Sequence, residues 1–342
     1  MTKIEWSDVT WNPVTGCDKV SQGCKNCYAE VMHRRLMGMF PNKYSKPFLG
    51  NIQLHAIEVN KPFLWEKPRM VFVNSMSDLF HEAVPFKFIE DVFLTMACCR
   101  KHTFQILTKR PRRMLAFFNN YKAFQYPLPN VWLGVSCEDQ KTADERIPIL
   151  LQTPAAVRFV SCEPLLGKID LNKPTILYAD ERSKNDDKFL RDYQIGALTF
   201  NKQDPYHKQF IGPDWIIAGG ESGRNARPMH PDWLRSIRDQ CTAKNIPFFF
   251  KQWGEFLPLE FDVQPPFRFF SSNGKLIDAH GIDVIDPETG DAGRYRGMRF
   301  MDAMDAIHFC MEEGVSQVDF LHRGNKKFAP LIDGQHHLEF PT

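Results

Sequence analysis

Six apolar runs of four or five residues, separated by stretches long enough for helices, constrain this chain more than any other feature. The runs are Met70–Asn74, Phe104–Leu107, Val131–Val135, Val157–Val160, Trp215–Ala218 and Pro247–Phe250. Short apolar runs without polar alternation read as strands covered on both faces, as in a parallel sheet. Helical candidates fill the gaps at Phe86–Arg100, Arg112–Tyr121, Lys141–Gln152 and Pro231–Lys244, the last opening with Pro231 and Asp232, which suit a first turn. With an N-terminal strand in Ile4–Trp11 and a helix over Tyr28–Met37, the first 256 residues make six or seven βα units. The expected fold is α/β: a full or partial TIM-type barrel of parallel strands, with a doubly wound open sheet as the alternative.

Two segments break the rhythm. Residues 173–209 are polar and charge-rich and read as an insertion into the barrel. Residues 257–342 carry hairpin signals at Ser272-Asn273-Gly274 and Pro287-Glu288-Thr289-Gly290, then a helical stretch near Asp302–Glu312. They are expected to form a small C-terminal α+β appendage.

Nearly every expected strand ends in reactive side chains. Asn74, Ser75 and Asp78 follow the second, Lys109 and Arg110 the third, Glu138 the fourth and Glu163 the fifth. Gly219, Gly220 and Glu221 follow the sixth, and Lys251 and Gln252 the seventh. In a βα barrel these ends converge on the face that carries the chemistry. Val-Ser-Cys-Glu occurs twice, at 135–138 and 160–163, which predicts equivalent positions on neighbouring strands. The Gly219-Gly220 turn lets a backbone approach a ligand, with N–H groups for a carboxylate or phosphate, or makes a tight turn; it lacks a nucleotide-binding fingerprint. Cys137 and Cys162 read as small core residues, as do Cys98, Cys99, Cys241 and Cys310.

Cys17, Cys24 and Cys27 lie between the first strand and the first helix, where a barrel holds a cofactor. Three thiolates at this density can hold three irons of a [4Fe–4S] cluster and leave the fourth open to S-adenosylmethionine. The same residues with His33 read as Cys-x6-Cys-x2-Cys-x5-His, a tetrahedral zinc set that would staple a nucleic-acid or protein-binding module. His33, beside Arg34 and Arg35, reads otherwise as a surface residue. Nine cysteines, an odd number in 342 residues, argue against a disulfide scaffold and for a reducing cytoplasm. No run approaches a membrane span, so no membrane partner is expected.

Thr10–Cys17, Gly23–Glu30, Leu-Thr-Lys-Arg-Pro (107–111), Trp-Leu-Gly-Val-Ser (132–136), Cys-Glu-Pro-Leu-Leu-Gly (162–167), Gly-Gly-Glu-Ser-Gly (219–223) and Phe-Lys-Gln-Trp-Gly (250–254) carry a family likeness. Together with Leu331-Ile332-Asp333-Gly334 they resemble a phage-associated family of unassigned function, known for a three-Cys motif and similar to radical S-adenosylmethionine enzymes. The resemblance implies that Cys17, Cys24 and Cys27 ligate a [4Fe–4S] cluster. It implies that S-adenosylmethionine is cleaved there to a 5′-deoxyadenosyl radical. Asn74, Ser75, Asp78, Glu138, Glu163, Gly219, Gly220 and Glu221 are then candidates for holding that cofactor. This chain departs from the common radical-enzyme pattern in three places. Six residues rather than three separate Cys17 from Cys24, Asn26 replaces an aromatic residue before the third cysteine, and Gly-Gly-Glu follows the sixth strand rather than the second.

Between Arg100 and Arg113 there are six Lys or Arg residues and no acid. Lys109, Arg110, Arg112 and Arg113 are candidates for phosphate contact, although the net charge of +2 gives no global signal and a solvated helix start explains them equally well. Lys109, Arg110, Arg112, Lys251 and Gln252 make the candidate substrate set. The phage association points to nucleic acid or a nucleotide as substrate. The radical reading requires an electron donor such as a flavodoxin or ferredoxin, and the basic patch equally suits a partner protein. A hydrolase or lyase using the strand-end carboxylates is the remaining reading.

Overall fold

A computed structural model of the protein describes residues 6–124, 126–172, 174–175, 195–196, 212–223, 225–259, 268–270, 276–278, 284–285, 292–293, 319–322, 331–332 and 335–341. Seven parallel strands form the main sheet: β1 (Val9–Trp11), β2 (Met70–Val73), β3 (Thr103–Thr108), β4 (Val131–Ser136), β5 (Val157–Cys162), β6 (Trp215–Gly219) and β7 (Phe248–Gln252). They lie side by side in chain order. A doubly wound sheet needs a reversal of strand order, and none is present here. Right-handed crossovers in unbroken order put the connecting helices on one face, and the sheet curls into a half-barrel.

The helices are α1 (Tyr28–Met39), α2 (Phe86–Cys98), α3 (Pro111–Asn120), α4 (Gln140–Gln152) and α5 (Pro231–Ala243). Their sequences explain their limits. In α2, Ile89, Val92, Phe93 and Met96 recur at helical spacing and are buried. Asp139 caps α4 by accepting from the Thr142 N–H at 2.8 Å. Pro111 and Pro231 occupy first-turn positions in α3 and α5, where a missing N–H costs nothing.

Alternation along the strands sorts two cores. Val71, Val73, Phe104, Ile106, Leu133, Val135, Val160, Cys162, Ile216, Ala218, Phe248 and Phe250 face the helices. Trp6, Phe72, Phe159, Trp215, Ile217 and Phe249 pack together on the concave side. Trp6 meets Phe72 edge-on at 4.8 Å and Trp215 at 6.0 Å. Each such fully buried large side chain contributes about 1.5–3 kcal/mol, so this aromatic plug fixes the floor of the half-barrel. Gly134 gives its space to Phe159, whose ring carbon would stand 2.5 Å from any Cβ there.

The outer edge of β7 is covered. Phe250 N donates to His337 O at 2.7 Å and Glu339 N to Phe248 O at 3.2 Å. This is how proteins blunt an open edge. A second sheet has six short strands in the order Phe256–Leu259, Asp319–His322, Arg268–Phe270, Leu276–Asp278, Val284–Ile285 and Ala292–Gly293. Arg268–Phe270 and Leu276–Asp278 pair antiparallel, as do Val284–Ile285 and Ala292–Gly293. The hairpin signals at 272–274 and 287–290 fall in sequence between the members of these pairs and lie outside the described residues. The helical stretch at 302–312 and most of the segment 173–209 lie outside the described residues. Among the described residues no helix is long and apolar enough to cross a membrane.

Candidate functional site

The loop from Gly16 to Cys27 lies against the C-terminal ends of the strands, and its anchors come from several of them. Gly16 takes φ +88°, a conformation that disfavours side chains, and any Cβ there would run into the Asn51 carbonyl. Cys17 N then donates to Phe48 O at 3.0 Å, and Gly50 N to Asp18 Oδ1 at 2.8 Å. A short turn of 3₁₀ helix, Gln22–Cys24, leads to Cys27, the residue before α1. The three cysteines are partly exposed and free of disulfides.

The anchors are groups at strand ends. From β3, Arg110 places Nη1 3.7 Å from Cys17 Sγ and donates through Nη2 to Asp18 O at 3.3 Å. From β4, Glu138 accepts from Ser21 Oγ at 2.8 Å, and its side chain fills the space against Gly23. After β6, Glu221 accepts from Asn26 Nδ2 at 3.0 Å, while Arg227 donates to Gln22 O at 3.0 Å. After β2, Ser75 O accepts from Tyr28 OH at 2.7 Å, and His81 stands 3.1 Å from Asp18 Oδ2.

Two of the strand-end acids, Glu138 and Glu221, hold the loop directly, and Asp78 holds Arg110, which reaches it. Asp78 accepts from Thr108 Oγ1, Lys109 N, Phe80 N and Arg110 Nη1 at 2.8–3.1 Å. Glu138 is fully buried between Arg146 at 3.1 Å and Lys109 at 3.4 Å. Burial alone would raise its pKa; Lys109, Arg146 and the Ser21 hydroxyl outweigh that and hold it below the ordinary glutamate value. Glu221 takes Arg227 through both oxygens, at 2.9 and 2.7 Å. Glu163 differs. It meets Lys251 Nζ at 2.7 Å and Gln252 Nε2 at 3.5 Å through one oxygen, Oε1. Both Glu163 and Lys251 stay partly open to solvent.

Burial, then the nearby Asp78 charge, pushes the Cys17 thiol up to about 12, and Arg110 pulls the other way. Metal ligation requires the thiolate, so binding at Cys17 would release its proton. Tyr28 leaves half its surface to solvent, yet its hydroxyl is desolvated and feels Cys27 and Glu163, all of which push its pKa up.

The remaining candidates fall out as follows. Asn74 sits at φ +60°, its Oδ1 accepting from Val14 N at 3.3 Å. Ser75 donates to Asn12 Oδ1 at 3.2 Å. Gly220 N, read as a free donor for an anion, donates to Gln252 O at 2.8 Å; a Cβ at Gly220 would overlap the Trp253 carbonyl, so the glycines serve a close backbone approach. The basic patch does not form one surface. Arg110 is buried in ion pairs with Asp78 and Glu82, Arg113 donates to the His81 and Val84 carbonyls, and Arg112 alone of the three is exposed. Arg224 lies outside the described residues. Cys137 and Cys162 face the helices, fully buried.

His33 is not a surface residue. It is fully buried, its Nε2 lies 2.8 Å from Lys46 O, and its ring packs edge-on against Tyr44 and Phe48. Among the described residues no group of three or more His, Cys, Asp and Glu is disposed around a single metal ion. A four-iron cluster binds each cysteine to a separate iron, so its sulfurs stand farther apart than those around one ion. The three thiols on one loop, partly exposed and free of disulfides, with Arg110 beside the first, are the donor type such a cluster takes. Sequence reasoning missed Ser21, Asn26 and Arg227. Arg227 lies in a loop without a motif, and only its fold-back onto Glu221 reveals it.

A family model described as "Protein of unknown function (DUF5131)" matches residues 1–341, and the chain belongs to that family. No curated protein and no solved structure gave a match.

Proposed function

We propose that this member of a family of unknown function is an iron–sulfur enzyme of the radical S-adenosylmethionine type, with Cys17, Cys24 and Cys27 holding a [4Fe–4S] cluster. The observation that carries the reading is the three-thiol loop anchored over the C-terminal rim of a βα half-barrel, the face on which such folds do chemistry. When bound, the cluster and S-adenosylmethionine would supply a 5′-deoxyadenosyl radical to a substrate in the mouth.

The chain's own residues have definable tasks in this reading. Arg110 offsets the negative charge of Cys17. Glu138 and Glu221 fix the loop at Ser21 and Asn26. The Trp6, Phe72, Phe159 and Trp215 cluster excludes water from below. The substrate we favour is a nucleotide or nucleic acid, in keeping with the resemblance to a phage-associated family. A cytoplasmic electron donor of the flavodoxin or ferredoxin kind would complete the system.

Metal and sulfide analysis of the anaerobically purified chain tests this. About four irons and four sulfides per chain, lost in Cys24→Ala, and an EPR signal of the reduced form that changes with S-adenosylmethionine are expected. One zinc, with no iron after reconstitution, overturns it in favour of a zinc-stapled binding module.

A further inference from the structure

We infer that Glu163, Lys251 and Ser161 receive the base, rather than the phosphate, of the nucleotide or nucleic-acid substrate; this rests on the substrate reading above. The first ground is charge. Among the described residues, the cations held at the strand ends are paired with acids: Lys109 and Arg146 with Glu138, Arg110 with Asp78 and Glu82, Arg227 with Glu221, and Lys251 with Glu163. A phosphate placed at Glu163 and Lys251 would meet a cation already paired with a carboxylate.

The second ground is unused hydrogen-bonding capacity in one place. Glu163 spends Oε1 on Lys251 and Gln252, leaving Oε2 as a free acceptor. Lys251 spends one of three N–H donors. Ser161 lies two residues before Glu163 on β5, on the same inward side as Phe159. It is 1% exposed, and its hydroxyl has no partner among the described residues. A buried hydroxyl left unpaired is destabilising, so a ligand group that satisfies it gains affinity. Gly219 lies beneath the pair, where a Cβ would stand 3.5 Å from both Glu163 Cδ and Lys251 Cβ.

Together these residues offer an acceptor, an ammonium donor and a hydroxyl of either sense within a neutral pair. That pattern complements an uncharged planar edge with a donor beside an acceptor, which a nucleobase presents and a phosphate does not. Tyr28, which opens α1 straight after Cys27, lies near enough to Glu163 to feel its charge, which ties this spot to the cysteine loop.

Equilibrium dialysis of the full chain tests the inference, using the common ribo- and deoxyribonucleosides, their 5′-monophosphates and inorganic phosphate. At least one nucleoside should bind within about threefold of its monophosphate, unaffected by millimolar phosphate. Glu163→Gln should weaken that nucleoside about tenfold, and Ser161→Ala several-fold, with an unchanged circular dichroism spectrum. Should Glu163→Gln fail to fold, Ser161→Ala carries the test. Binding that requires the phosphate, competition by inorganic phosphate, absence of any nucleoside binding, or indifference to the variants that fold overturns the inference. Iron analysis of the same preparation separates the two readings. A chain without iron that binds nucleosides through these residues loses the radical function and keeps this site.

Discussion

Arg227 grips Glu221 in a bidentate pair, Nε to Oε2 at 2.9 Å and Nη2 to Oε1 at 2.7 Å, and the same guanidinium donates to the Gln22 carbonyl at 3.0 Å. Its head therefore ties a strand-end acid to the middle of the cysteine loop. Arg227→Ala leaves a nearly buried carboxylate without its cation and should cost about 3 kcal/mol, measured by urea denaturation. Alkylation of Cys24 and Cys27 in the metal-free chain should speed up, while that of exposed Cys98 stays constant. An unchanged Cys24 rate would mean that the loop does not depend on this grip.

Glu138 gives the stability a pH signature. Its folded pKa lies below the ordinary glutamate value, so its contribution is fully present above that value. The contribution is lost as pH falls from there through the depressed folded value. Glu138→Gln should flatten this acid limb and lower stability at neutral pH. Melting temperatures taken across the acid range check both, and parallel curves for the two proteins would refute the assignment.

Gly23 is where loop and rim touch. An added methyl meets the locked Glu138 side chain, so Gly23→Ala should destabilise by about 1–3 kcal/mol. It should also reduce iron retention after reconstitution. Gly50→Ala is the control, with open space around its Cβ position; its φ of +71° makes any cost one of backbone strain away from the rim.

The buried thiols should stay silent. Burial pushes the Cys137, Cys162 and Cys241 thiols far up. Under native conditions a thiol reagent should label Cys98, Cys24 and Cys27 among the described ones, and reach these three only on unfolding. Cys162→Ala should cost about 1–3 kcal/mol and leave iron content unchanged. Early labelling of Cys162, read by mass spectrometry, would contradict its placement behind the sheet.

The strands were legible because a buried parallel strand needs an unbroken apolar run, and each of the six runs became one. The duplicated Val-Ser-Cys-Glu was legible too, since Ser136 pairs with Ser161 across β4 and β5. Side-chain commitments were not. Glu138, Glu163 and Glu221 look alike in sequence, yet two are spent on the cysteine loop and one is open. That difference arises from partners such as Ser21 and Asn26, more than a hundred residues away in the chain. His33 looked exposed beside two arginines; helical geometry turned it inward onto Tyr44 and Phe48. The basic run dissolved because charge in sequence does not reveal which acids fold back onto it.

A closed barrel fixes its own curvature, because the hydrogen-bond ladder returns to its first strand. This sheet has β1 and β7 as its two ends and no such return. At the rim, the cysteine loop acts as a keystone, joined to groups that follow β2, β3, β4 and β6. Whatever occupies the three thiols is therefore coupled to the span of the arch, and its binding free energy becomes part of the energy that keeps the sheet bent.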